Sequence, residues 1–207
     1  MIPLLVDFSK KTVVIFGGGE VGARKAAYFA PEARVRVYSR SFSPAFSGLN
    51  IGRETIELHG AGDTRLPSLL QGAFLAIAAT PDRELNNRIG KLCQERGILF
   101  NNAEGDAGDL LIPSVVKGER FLLAISTGGS SPAVSRFLRE FVQKSLPDLD
   151  RMIALQERLR AYLKECQPDA DARKDVVWKV LMDSDVWVAL HGGEIAAWSL
   201  VARRYLQ

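Results

Sequence analysis

The stretch Val13-Val14-Ile15-Phe16-Gly17-Gly18-Gly19-Glu20-Val21-Gly22-Ala23-Arg24-Lys25-Ala26-Ala27 decides the fold. An apolar run leads into a glycine run, and an alanine-rich, helix-forming segment follows without a break. Gly17, Gly19 and Gly22 fit the G-x-G-x-x-G spacing in a strand-turn-helix setting. In that setting bare backbone lets a dinucleotide pyrophosphate approach the helix N-terminus, whose free N–H groups and dipole favour an anion. A tight turn can also use glycine for its own geometry, so the run points to a nucleotide through its flanks.

Outward from this turn, apolar runs alternate with amphipathic segments from Met1 to about Pro113, the pattern of a parallel sheet covered by helices. Val13 to Phe16 predicts the first strand, Glu20 to Phe29 the first helix, Arg34 to Tyr38 the second strand and Ile56 to Leu58 the third. Phe74 to Ala79 is continuously apolar, as a strand covered on both faces requires. Thr80-Pro81-Asp82 predicts a helix start with Thr80 as N-cap and Pro81 in the first position. That helix should end near Gly97, before a strand at Ile98 to Phe100.

Beyond Asn101 the pattern changes. Leu110 to Val116 and Phe121 to Ser126 read as a hairpin around Lys117-Gly118-Glu119-Arg120. Thr127-Gly128-Gly129-Ser130-Ser131-Pro132 then introduces a helix from Ala133 to Leu146, with Ser131 as N-cap. From about Leu149 the chain is helical, with breaks at Gln167-Pro168 and Gly192-Gly193, and Trp178, Trp187 and Trp198 are expected core anchors. The expected organisation is α/β: a Rossmann-like parallel sheet domain (1–112), a small α+β segment of hairpin plus helix (113–147) and a C-terminal helical domain (148–207).

Bulk properties narrow the function classes. Of 207 residues 47% are hydrophobic and 25% charged, and a net charge of +3 with acids and bases interspersed argues against nucleic acid. No apolar stretch reaches the roughly 18 residues of a membrane helix, so no span is expected. Met1 to Lys11 lacks the basic, apolar, small-residue layout of a secretory signal, which makes a cytoplasmic location the expectation. Cys93 and Cys166 are too few and too distant for a disulfide framework or zinc site, and His59 and His191 cannot make a three-histidine site. No metal site is expected, and hydrolase and P-loop motifs are missing.

Dinucleotide folds usually end the second strand in an acid that accepts the ribose hydroxyls of NAD. Here the end reads Tyr38-Ser39-Arg40-Ser41, and Arg40 could equally answer a 2'-phosphate, so NAD and NADP both remain open. Glu104, Asp106 and Asp109 crowd the turn after the last strand of the sheet, at the carboxyl ends that border a ligand crevice. One of them could act as a base, or together with Asn102 they could make side-chain turns.

Four segments taken in order carry a resemblance: Gly17 to Lys25, Ala78-Ala79-Thr80-Pro81-Asp82 with Asn86, Ile112-Pro113-Ser114, and Ile125 to Pro132. Residues 1 to 150 resemble the precorrin-2 dehydrogenase family, the siroheme synthase N-terminal type that includes stand-alone dehydrogenase/ferrochelatases. The resemblance implies NAD-dependent oxidation of precorrin-2 to sirohydrochlorin, in some members with Fe2+ or Co2+ insertion, and a homodimer held by the segment after the cofactor domain. It implies nucleotide contacts at Glu20, Val21, Arg40 and Ser41, beside Gly17, Gly19, Gly22 and Thr80 of the motifs themselves. It implies a catalytic acid at Glu104, with Asp106 the runner-up because the segment is one residue short, and a tetrapyrrole cleft bordered by Ser126, Thr127, Gly128 and Gly129. The basic residues Lys117, Arg120, Arg136, Arg139 and Lys144 suit a polycarboxylate substrate, or form the wet face of a helix. Two other readings compete: a chelatase using the same acid as proton acceptor, and an NAD-binding sensor module, which needs no hairpin followed by a Thr-Gly-Gly-Ser-Ser-Pro loop.

Overall fold

The computed structural model describes residues 2–103 and 108–206. Thr12–Phe16 forms β1, and Val13 to Phe16 are wholly buried. Alternate side chains serve opposite faces, Val14 and Phe16 packing into one cluster and Val13 and Ile15 into another. Burial on both faces is the reason the run is continuously apolar.

β2 (Arg34–Ser39), β3 (Gly52–Thr55), β4 (Leu75–Ala78) and β5 (Leu99–Asn102) join β1 in a parallel sheet of order β3-β2-β1-β4-β5. Phe16 stands opposite Tyr38 on one side and Ala78 on the other. Helix α1 (Glu20–Phe29) covers the Val13 and Ile15 face through Ala23, Ala26 and Phe29. Helices α2 (Leu66–Leu69) and α3 (Arg83–Arg96) cover the other face through Leu66, Leu85, Ile89 and Leu92, each such burial contributing about 1.5–3 kcal/mol. Cys93 lies in the same cluster, and burial, reinforced by Asp109, pushes its thiol up to about 12.

The chain leaves β1 toward one face and β4 toward the other, so their carboxyl ends flank a crevice. At that point Gly17 adopts φ +120°, and a Cβ there would fall 2.2 Å from the Ala79 carbonyl oxygen. Only glycine tolerates both the conformation and the approach.

Two expectations need correction in this unit. The third strand is Gly52–Thr55 rather than Ile56 to Leu58: β3 is a wholly exposed edge strand with no apolar signal, while Ile56 and Leu58 pack beneath the sheet edge after it ends. The N-cap of α3 is Asp82 rather than Thr80. The Asp82 carboxylate accepts from the Glu84 and Leu85 amides at 2.9 and 3.0 Å, a charged cap that outcompetes the hydroxyl.

A second compact unit spans Pro113–Gln207. β6 (Ser114–Lys117) and β7 (Leu122–Ile125) pair antiparallel, and the turn lies one residue later than expected, closed by the Gly118 amide on the Phe121 carbonyl at 3.1 Å. Asp150, in helix α5 (Leu149–Cys166), accepts from the Glu119 and Arg120 amides at 3.1 and 2.8 Å. Helix α4 (Pro132–Ser145) is capped by Ser131, whose hydroxyl accepts from the Val134 amide.

α5 packs with α6 (Ala170–Met182), α7 (Ser184–His191) and α8 (Glu194–Tyr205) around Met152, Leu155, Leu159, Val180, Leu190 and Val201. The break between α6 and α7 has no proline or glycine to announce it. Asp183 makes it by capping the Asp185 amide at 2.9 Å while holding Arg204 at 2.5 Å and the Tyr205 hydroxyl at 2.8 Å. Trp187 and Trp198 pack on this core, but Trp178 is 62% exposed, contrary to expectation. Val176, Val177, Val180 and Leu181 occupy the inward stripe of α6 and leave position 178 outside it. Among the described residues no helix is long and apolar enough to cross a membrane.

Replacing Gly17 by alanine adds a clash with fixed backbone to a disfavoured φ, and should cost about 3 kcal/mol or more. The guanidinium midpoint should fall accordingly, and an unchanged midpoint would show that the turn can move away from Ala79.

Candidate functional site

The glycine turn is packed from below and open above. A Cβ on Gly18 would meet the Ser41 carbonyl oxygen at 2.0 Å and the Ser39 hydroxyl at 2.8 Å, and the Ser43 amide donates to the Gly18 carbonyl at 2.8 Å. A Cβ on Gly22 would meet the Gly17 carbonyl at 2.0 Å, so this glycine seats α1 on the turn. Gly19 is different in kind. Its φ of −79° suits any residue, it is exposed, and a Cβ there would meet nothing within 4 Å. Nothing in the described protein requires glycine at 19, so the open space above it fits a ligand lying close against the backbone.

The first turn of α1 adds to this. No side chain caps it, whereas Asp82 and Ser131 cap α3 and α4, so its N-terminal amides are left for an anion. Glu20 is exposed beside it and Val21 half-buried. Lys25, one turn further on, has its pKa lowered by burial and then by neighbouring Arg24.

Ser39, half-buried, and Arg40 and Ser41, exposed, lie beside Gly18 at the end of β2. Thr80 lies on the opposite side of the turn, with its amide nitrogen 3.3 Å from the Cβ position of Gly17. The Thr80 hydroxyl faces inward, 2.7 Å from Asn86 Oδ1, so the main chain of Thr80 is what borders the crevice. Gly17, Gly19, Glu20, Val21, Gly22, Arg40, Ser41 and Thr80 are thereby gathered at the carboxyl edge of β1, β2 and β4.

Glu104 and Asp106 lie outside the described residues. Asp109 is occupied structurally: its carboxylate accepts from the Phe100 amide at 2.9 Å, and its own amide donates to the Phe100 carbonyl at 2.8 Å. The Ala103 amide donates to the Ala78 carbonyl at 2.9 Å, so Ala103 and Asp109 are each hydrogen-bonded to the sheet. Asn101 is buried there, donating to the Leu110 carbonyl at 3.0 Å, and its Oδ1 has no partner among the described residues.

In the second unit, the Ser126 hydroxyl accepts from the Gly128 amide at 3.1 Å and Thr127 Oγ1 from the Ser131 amide at 3.0 Å. Thr127 also lies 3.3 Å from the hydroxyl of buried Ser135. These hydroxyls brace the loop from within, and Gly128 and Gly129, both exposed with φ of +64° and +89°, present backbone to solvent. Of the basic residues nearby, Arg120 pairs with Glu157, and Arg136 and Arg139 flank Glu140. Among the described residues no group of three or more His, Cys, Asp or Glu is placed to hold a metal ion.

Sequence reasoning named Asp82 and Asn86 among the residues that carry the resemblance but gave neither a role in this site. Asp82 carried a signal in the Glu two positions beyond it, which loads the first turn of α3 with acid. Asn86 carried one in being polar at a position of the inward stripe, next to Leu85 and one turn from Ile89.

A parallel sheet of this order, with a close-packed glycine turn and an uncapped helix at its crossover, defines a dinucleotide-binding α/β protein. The comparisons agree: the family model described as "Putative NAD(P)-binding" matches residues 4–114. A precorrin-2 dehydrogenase from Methanosarcina barkeri is 40% identical over 191 residues, 90% of this chain and 85% of that one. Siroheme synthases from Sodalis glossinidius and Klebsiella pneumoniae are each 32% identical over 79% and 84% of this chain, which spans only 35% and 37% of their lengths. The solved structure of SirC, a precorrin-2 dehydrogenase, superposes with a TM-score of 0.72 at 18% identity, covering 98% of this chain and 100% of that one, and so shares the fold. The chain belongs to the precorrin-2 dehydrogenase family.

Gly19→Ala should separate binding from folding. The midpoint of unfolding should stay within about 0.5–1 kcal/mol of wild type while NAD affinity drops at least about tenfold, read by titration of NADH fluorescence. Unchanged affinity would place the dinucleotide elsewhere.

Proposed function

We propose that the chain oxidises precorrin-2 to sirohydrochlorin with NAD, a step toward siroheme. The observation that supports this most is the open backbone at Gly19, above a turn whose other glycines are closed by contact, in a chain 40% identical to a precorrin-2 dehydrogenase. NAD, when bound, supplies the acceptor for the hydride that leaves the macrocycle. The protein supplies position and a destination for the accompanying proton. The Gly19 backbone and first turn of α1 hold the pyrophosphate, and Arg40 and Ser41 the adenosine ribose.

Glu104 takes the proton, with Asp106 as the alternative acid, and such a base is worth about 10²–10⁴ in rate. Ser126 and Thr127 shape the loop in which Gly128 and Gly129 border the substrate's carboxylates, Ser126 holding the Gly128 amide and Thr127 the Ser131 amide. Insertion of Fe2+ or Co2+ into the product would use the same acid as proton acceptor, and loss of the sirohydrochlorin spectrum on adding either metal tests it. We place the enzyme in the cytoplasm, where its two free thiols, Cys93 and Cys166, would stay reduced.

We further propose that it acts as a homodimer through the segment 113–147. Val134, Phe137, Leu138 and Phe141 recur at i, i+3, i+4 and i+7 along α4, and all are exposed. Phe137 and Phe141, 63% and 56% exposed, stack with centroids 6.2 Å apart. Such a contiguous apolar face marks an interface. Phe137→Glu should convert the protein to monomer in sedimentation equilibrium, and a wild type already monomeric at micromolar concentration would refute the assembly.

Incubation with precorrin-2 and NAD should yield NADH, and none would sink the dehydrogenase reading. Glu104→Ala should lower turnover more than Asp106→Ala with NAD affinity retained. The opposite order reassigns the base to Asp106.

A further inference from the structure

We infer that Asn86 is a positioning residue of the dinucleotide crevice, holding the main chain of Thr80 against the glycine turn. Asn86 is 1% exposed and sits in α3 among Leu85, Ile89 and Leu92 of the apolar cluster. A carboxamide so placed is retained only if its hydrogen bonds are made. Both go to one residue outside the helix: Nδ2 donates to the Thr80 carbonyl at 2.8 Å, and Oδ1 receives the Thr80 hydroxyl at 2.7 Å. The same hydroxyl accepts from the Asp82 amide at 3.2 Å. Thr80 is thus clamped through its carbonyl and its side chain to the first turns of α3, which is itself packed on the sheet.

The other side of Thr80 faces the crevice. Its neighbour Ala79 supplies the carbonyl that closes against Gly17, and the Thr80 amide, beside Gly17, has no acceptor among the described residues. The segment Ala79–Thr80 is therefore one wall of the space over the glycine turn, and Asn86 sets where that wall stands. A leucine would fill the same apolar pocket, so packing does not explain an asparagine at 86. Acting through Thr80 does.

The inference rests on dinucleotide binding at this crevice. NADH is titrated by fluorescence into wild type, Asn86→Leu, Thr80→Val, Thr80→Ser and the double variant Asn86→Leu/Thr80→Val, each well below its melting midpoint. Asn86→Leu removes both bonds at similar volume and should weaken NADH about tenfold or more. Thr80→Val should weaken it severalfold, and Thr80→Ser, which keeps the hydroxyl, should stay within about twofold of wild type. The double variant should bind no worse than Asn86→Leu alone, because both changes break the same clamp.

A purely structural Asn86 would lower the melting temperature and leave the Kd of the folded protein within about twofold, which would overturn the inference. Should Asn86→Leu fail to fold, Thr80→Val decides on the same criterion. A wild type that does not bind NADH overturns the dinucleotide reading itself, a result separable from the others.

Discussion

The approach of the Ala79 carbonyl to Gly17 governs the first unit. Where β1 and β4 run parallel as neighbours, their carboxyl ends must part to send helices to opposite faces, and here they part with no space for even a methyl group between them. That contact fixes the glycine turn from one side, and the Ser39 to Ser43 segment fixes it from the other. With the turn held, α1 can dock through Gly22, and Gly19 is left as a bare stretch of chain where an added Cβ would meet no described residue within 4 Å. The opening is a consequence of rigidity around it.

The starts of the helices differ in how their amides are met. Asp82, Asp183 and Ser131 spend side chains on the amides of α3, α7 and α4, and each of these residues also fixes where a neighbouring segment lies. The amides of α1 receive no such group. A helix without a cap is less stable by about 1 kcal/mol; α2, α5 and α8 are uncapped as well, and what sets α1 apart is that its open amides adjoin the bare backbone of Gly19. The hydroxyls of Thr127 and Thr80 are turned to partners within the protein, and that of exposed Ser126 holds the Gly128 amide.

The sheet was legible because its central strands are buried on both faces, which leaves an unmistakable apolar run, and because glycine and proline punctuate the turns. β3 was misplaced because an exposed edge strand, Gly52–Thr55, is polar throughout and its register depends on β2 rather than on its own pattern. Thr80 and Asp82 are both good caps by type, and only the structure separates them: the Asp82 carboxylate takes the Glu84 and Leu85 amides while the Thr80 hydroxyl goes to Asn86. The break at Asp183 and the exposure of Trp178 are tertiary outcomes, set by Arg204 from a distant helix and by the valines that claimed the inward stripe. At the candidate site, residue types and spacing pointed to Gly17 to Gly22, Arg40, Ser41 and Thr80, which the fold gathers at the carboxyl edge of β1, β2 and β4. The partnership of Asn86 with Thr80 became visible only in coordinates, because a buried amide says that it has partners without saying which.

The carboxylate of Asp150 closes the tip of the hairpin although it belongs to the helical tail, and Arg120 reaches Glu157 about two turns further along α5. Two otherwise unpaired amides of the turn depend on it. The tail is then no passive appendage: it supplies the acceptor that closes the hairpin's tip. Shortening the chain within α5 would remove the acceptor that closes the hairpin tip, so the tail contributes to the stability of the segment that precedes it.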